Sequence, residues 1–341
     1  MSHLSAIRQY LAANGIRCYI GVNRPPPKPL NDAQMGGAFF FNRDTVKPSL
    51  SWTEQVALLV RRGLVIEDED ECAGFLAVHN YYRFSGYMRY FQKAPHEGDD
   101  DFVAGTTLAQ IRAIYDADHA LRAALTEQLA KVELLLRTHT AHVIANDHGP
   151  CGRYLTEQFY TDATDSEPTV YSCLKDLRRS RERHILRHAV GDSNPDLSKL
   201  PVWSAVEAWS FGTLSRCIER GAQGDLSSAV AKSMGVARAG FAYRVRAMVY
   251  VRNRCAHHSR IWNHSIIDAG PTPNNVRKKA KRLAGQFEPR SVLDVIASLD
   301  DLLARGEGDA PLLPKLVEDY KHDDDIWKGL SHPKNPKDHR P

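Results

Sequence analysis

The sequence predicts an all-α protein, a helical bundle with a partly extended N-terminal arm, from three observations. From residue 51 onward, apolar residues recur three and four positions apart, the period that buries one face of a helix, as at Leu125, Leu129, Val132, Leu136 and Val143. Helix-start chemistry sits where such runs begin: Ser51 with Glu54 ahead of Val56, Leu58, Leu59 and Val60, and Pro201 ahead of Trp203, Val206 and Trp209. Polar, glycine-containing stretches at 97–105, 146–152 and 191–200 punctuate the runs and mark element boundaries.

In chain order, residues 1–46 read as an arm. A short amphipathic stretch from Leu4 to Leu11 precedes the stiff run Arg24-Pro25-Pro26-Pro27-Lys28-Pro29, then Gly36-Gly37 and the aromatic cluster at 39–41. The helical domain occupies 47–330. Its first helix follows the Ser51 and Glu54 capping box and stops at Gly63, which tolerates the left-handed turn that ends helices. A second helix is expected over 70–84, with Phe75, Leu76, His79, Tyr82 and Arg83. The aromatics from Tyr81 to Phe91 either pack as core, the reading favoured here, or stack on unpaired bases.

A loop at 97–105 leads to a long helix over 107–145. Downstream, Arg178, Arg179, Arg181, Arg183 and Arg187 suggest one basic helix. After Pro201, Trp203, Val206, Trp209 and Phe211 suggest packing, and Glu207 is expected to face a basic motif further on. That motif lies on a helix expected over about 237–262. Lys278, Lys279 and Lys281 follow it in a second basic run. A last periodic helix spans 289–303, and 331–341 is a polar, proline-containing tail expected to fray.

Composition narrows the function classes. The chain has 341 residues, 43% hydrophobic and 25% charged, enough to bury a substantial core. No apolar run approaches the roughly 20 residues needed to span a bilayer, and the N-terminus lacks a basic-then-apolar signal pattern, so a cytoplasmic location and no membrane partner are expected. Cysteines at 18, 72, 151, 173, 217 and 255 contain no C-x-x-C pair, which argues against a zinc cage and against a disulfide framework. Net charge is only +4, so affinity for RNA must come from local patches, and the two basic runs are either such patches or ordinary solvated helix faces.

The most informative stretch is Arg252-Asn253-Arg254-Cys255-Ala256-His257. Asn253 and His257 are four residues apart, so the amide can orient the imidazole if the helix continues. On such a helix Arg252, Arg260, Asn253, His264 and His257 share an arc of about 140°, opposite Met248, Val251, Cys255 and Trp262. Histidine can take a proton from a ribose 2′-hydroxyl, or give one to the departing 5′-oxygen, near neutral pH. Arginine stays charged, and its planar fork suits the equatorial oxygens of a phosphorane-like transition state. The group can therefore cleave RNA without a metal, leaving 2′,3′-cyclic phosphate and 5′-hydroxyl ends and sparing DNA.

Spacing alone is weak in a chain with 15 histidines. Arg137 and His142 match it too, although Glu133, four residues before Arg137, offers that arginine an intrahelical ion pair and a structural role. Cys255, His257 and His258 could be drawn as metal ligands, but adjacent helical positions point about 100° apart, so no metal is expected. Cys255 falls on the apolar face, which argues against a thiol nucleophile.

The segment from Arg252 to Asn263 resembles the signature of the Abi-like family of bacterial abortive-infection proteins, the AbiD/AbiF group, whose C-terminal region belongs to the HEPN ribonuclease superfamily. Further segments resemble that family in the same order: Lys47-Pro48-Ser49-Leu50-Ser51 with Glu54-Gln55, Arg62-Gly63-Leu64, Asn80-Tyr81-Tyr82-Arg83, Ser85-Gly86-Tyr87, Pro201-Val202-Trp203, and Glu207 through Ser215. The resemblance implies a HEPN-type C-terminal half and an antiphage toxin that cuts or binds RNA, with Arg252, Asn253 and His257 as catalytic residues and no cofactor. Arg254, His258, Arg260 and the two basic runs would contact RNA. The family is also similar to the nuclease halves of RNA-guided type VI CRISPR effectors, which pair two motifs in one chain; here a homodimer would supply the second copy. An inhibitor or activator, a structured RNA or a protein, is implied as a further partner. The competing readings are a non-catalytic RNA-binding scaffold and a toxin acting through proteins alone.

Overall fold

Capping chemistry sets the helix ends. A computed structural model of the chain describes residues 49–164, 166–188, 197–267, 270, 272–304 and 311–334. The arm at 1–46, the greater part of the 191–200 loop and the end of the tail lie outside the described residues. Helix α1 (Trp52–Arg61) starts at Ser51, whose hydroxyl accepts the Glu54 amide while the Glu54 carboxylate accepts the Ser51 amide at 2.7 Å, forming the expected capping box. Gly63 follows its end at φ +87°.

The helix expected over 70–84 is two, α2 (Glu69–His79) and α3 (Tyr81–Met88). Between them Asn80 takes φ +61° and its side chain accepts the Tyr82 amide at 2.9 Å, so one residue ends a helix and caps the next. The 97–105 stretch is more than a loop: β1 (Gln92–Ala94) and β2 (Asp99–Phe102) pair antiparallel, with Gln92 opposite Phe102. The aromatic stripe is largely core. Phe75, Phe84 and Tyr87 are buried and meet Tyr115 edge to face, whereas Tyr82 is 87% exposed.

Helix α4 (Leu108–His148), capped by Thr107, is about 60 Å long. Leu121, Leu125, Leu129, Val132, Leu136 and Ile144 are buried along it. The single basic helix expected at 178–188 is broken: α5 (Thr169–Arg179) stops at Ser180, which is extended, and a one-turn α6 (Arg183–Leu186) follows. Pro201 starts α7 (Val202–Ala208), Ser210 caps α8 (Phe211–Arg220), and α9 (Leu226–Ser233) leads to α10 (Phe241–Ala256). The remaining α-helices among the described residues are α11 (Asn274–Ala284), α12 (Val292–Leu303), α13 (Leu312–Tyr320) and α14 (Asp324–Ser331).

Helices α7, α9, α10 and α12 pack along α4. Residues Val292 to Leu299 of α12 are buried on every side, as expected of its apolar run. Among the described residues no helix is long and apolar enough to cross a membrane. The tail differs from expectation at its start: Ser331 ends α14 and is buried, and the Lys334 amide donates to Asn263 Oδ1 at 2.6 Å.

Candidate functional site

Helix α10 carries the motif. Its buried side, Phe241, Val245, Met248, Val251 and Cys255, packs on α4, α8 and α12. Arg244, 1% exposed, donates to Ser298 Oγ at 2.8 Å and pairs with Asp301 at 2.7 Å, which pins the helix start to α12. Burial pushes the Cys255 thiol up to about 11, so it stays protonated and packs.

The motif helix is shorter than its expected 237–262. It begins after Gly240 and stops at Ala256, with no glycine or proline at the break. His257 sits at the cap, and His258 takes φ +53°, a left-handed conformation that histidine tolerates better than most side chains. Long-range partners impose the turn. Buried Asp118 on α4 accepts the Ile261 and Trp262 amides at 3.1 and 2.7 Å, and also bonds Tyr87 and Arg122. Arg83 donates to the His258 carbonyl, Arg254 Nε to the Arg260 carbonyl at 3.1 Å, and Arg260 to the Trp262 and Asn263 carbonyls at 2.8 and 3.2 Å. The Arg260 guanidinium lies over Tyr90, 4.8 Å from its centroid. Trp262 packs against Gly329, where an added Cβ would come within 2.1 Å of the indole nitrogen.

The motif therefore divides into two halves. Residues from Arg260 to Asn263 anchor the turn, and Asn253 and His257 are exposed at the end of α10 with Arg252 half-buried beside them. Arg252 is half-buried over Phe211; it donates to Asn253 Oδ1 at 2.9 Å and lies 3.6 Å from Glu133. Asn253 thus holds the guanidinium, where the sequence suggested it would hold the imidazole. His257 is exposed, and its amide donates to the Asn253 carbonyl at 3.0 Å.

Other expected RNA contacts lie elsewhere. His258 is exposed beside the motif, whereas Arg254 and Arg260 have guanidinium groups committed to carbonyls. Arg178 and Arg179 are exposed at the end of α5, Arg181 in the break after it, and Lys278, Lys279 and the half-buried Lys281 on α11. The carboxylate facing the motif arginine is Glu133 of α4, and not Glu207, which is exposed on α7. Glu133 also forms the expected ion pair with Arg137, whose guanidinium donates to the Val206 and Trp209 carbonyls and is 8% exposed. Sequence spacing identified one partner of Glu133; the second comes from helix packing.

His264, expected on the helix arc, sits on the return loop. Its ring stacks at 3° on Tyr250, with Nε2 2.7 Å from the phenol oxygen, and burial together with Arg254 and Arg260 pulls its pKa down to about 4. It is a neutral, structural histidine at neutral pH. Because the folded-state pKa lies below the unfolded value near 6.5, the unfolded chain binds the proton first, and this contribution to stability is full above about pH 6.5 and lost as pH falls toward 4. The loss between pH 7 and pH 5 amounts to about 2 kcal/mol. Urea unfolding of wild type and His264→Phe at the two pH values checks it: the variant should show that much less pH dependence, and equal slopes would refute the assignment.

An all-α molecule with a half-buried arginine beside an exposed asparagine and histidine at one helix end is the class that the fold and site define. Residues 74–263 match the family model of Abi-like protein, and the chain belongs to that family. The match covers more than half of the chain and ends at the anchor residue Asn263; the stretch from Lys47 to Leu64 precedes it. No curated protein and no solved structure matches the chain significantly. The segments that carry the family resemblance converge in space: Arg83 from one and Tyr87 from the next hold the turn or its Asp118 anchor, and Phe211 from a third lies under Arg252.

Proposed function

We propose that this Abi-like protein is an abortive-infection effector of the AbiD/AbiF group and a metal-independent, HEPN-type endoribonuclease. The observation that supports it most is the placement of exposed Asn253 and His257 and half-buried Arg252 at the end of α10, while Arg254 and Arg260 are committed to carbonyls of the turn. In this reading His257 of one protomer takes the 2′-hydroxyl proton, the 2′-oxygen attacks phosphorus, and the 5′-oxygen leaves with a proton from the same histidine of a second copy. Arg252, aimed by Asn253 and Glu133, stabilises the extra negative charge on the phosphorane. A homodimer completes the site.

The test is incubation of the purified protein with end-labelled single-stranded RNA in EDTA, beside the all-deoxy strand. Cyclic-phosphate ends from RNA only are expected. Cleavage of the deoxy strand, or cleavage abolished by EDTA, would refute the mechanism, and RNA binding with no cleavage would favour a scaffold for a structured regulatory RNA.

A further inference from the structure

Helices α4 and α7 pack side by side, and a cleft of about 420 Å³ opens between them, in the size range of small-molecule sites. Its polar groups come as two helical pairs. On α4, His142 and Asn146 are four residues apart, and the Asn146 amide donates to His142 Nε2 at 2.9 Å. On α7, Trp203 and Glu207 are likewise four apart, Trp203 being 56% exposed and Glu207 exposed as well. Among the described residues neither the indole nor the Glu207 carboxylate has a hydrogen-bond or ion-pair partner.

We propose that this cleft holds one unpaired guanine base of the RNA, a reading that rests on RNA being the ligand of the protein. An exposed indole on a cleft wall is a stacking surface for a base. His142 brings its imidazole to the α4 wall of the cleft, while Glu207 on the α7 wall offers acceptors only. Guanine presents two adjacent N–H groups, N1 and N2, that match a carboxylate, with the O6 acceptor beside them for the imidazole. Adenine and cytosine place a lone pair next to their amino group, and uracil flanks its single N–H with carbonyls, so each sets an acceptor against the carboxylate.

The cleft is also connected to the motif. Arg137 in its wall pairs with Glu133, the carboxylate beside Arg252, and Glu133 to His142 spans about 14 Å along the α4 axis. A base held here would fix the register of a strand crossing the end of α10.

The experiment is titration of the full chain with guanosine, inosine, adenosine, cytidine and uridine 5′-monophosphates, followed by tryptophan quenching and calorimetry. GMP should bind at least about tenfold more tightly than the adenosine, cytidine and uridine nucleotides, with inosine monophosphate, which lacks the N2 amino group, weaker than GMP. Glu207→Gln should remove the preference, and Trp203→Phe should remove the quenching; both side chains are exposed, so unfolding curves should not move. Equal affinities for all five, no binding, or GMP binding indifferent to Glu207→Gln would overturn the proposal. These nucleotides contain no phosphodiester to cut, so a protein that prefers GMP but cleaves nothing upholds the cleft and refutes the nuclease, and the reverse result does the opposite.

Discussion

His257→Ala is expected to slow RNA cleavage by about 10²- to 10⁴-fold, the usual contribution of a positioned general acid or base, with no change in thermal unfolding. The side chain is exposed at the cap of α10, and the bond that His257 gives the fold comes from its backbone amide, to the Asn253 carbonyl. Arg252→Ala should cost about 10²- to 10³-fold through lost charge stabilisation. Arg254→Ala and Arg260→Ala should behave differently, lowering the unfolding temperature, because the first frees one backbone carbonyl of the turn and the second frees two. Single-turnover cleavage rates set beside unfolding curves for the four variants make the comparison. A His257→Ala protein that cuts at the wild-type rate, or one that loses activity only in proportion to stability, would count against the catalytic assignment.

That contrast within one short segment was not legible in the sequence, although the segment itself was. Residue spacing showed a chemical and an apolar face, but it presumed a helix running to Trp262. Nothing local stops α10 at Ala256; the stop is imposed by Asp118, more than 140 residues away in sequence, and by Arg83, which captures the carbonyl of His258. The same limit hid Glu133 as a partner of Arg252, since intrahelical spacing exposes the Arg137 pairing and says nothing of α10. Signals carried by adjacent residues fared better: the Ser51 and Glu54 box, the helix start at Pro201 and the buried face of α12 all appear where the sequence puts them. Asn80 falls between the two cases. Its side chain caps α3 and its backbone turns left-handed, yet the hydrophobic period runs through it undisturbed.

Asp118→Ala is expected to destabilise the protein by about 3–5 kcal/mol, the cost of breaking a buried charge pair from one side, and to lower its unfolding temperature by roughly 10 °C. The carboxylate is fully buried, and its loss strands the Arg122 guanidinium, the Tyr87 hydroxyl and the amides of Ile261 and Trp262 together. Arg122→Met should cost less, because the remaining carboxylate keeps the two amides and the phenol as donors. The double variant Asp118→Asn, Arg122→Met should recover part of the loss, since an amide oxygen still accepts from the turn and no unpaired charge stays inside. Chemical unfolding of the three proteins decides between a paired-charge anchor and simple packing, under which the costs would follow side-chain volume instead. Cleavage should fall in Asp118→Ala in step with the fraction of protein whose turn is released. In that respect it is opposite to His257→Ala, where the turn stays folded and only the proton transfer is lost.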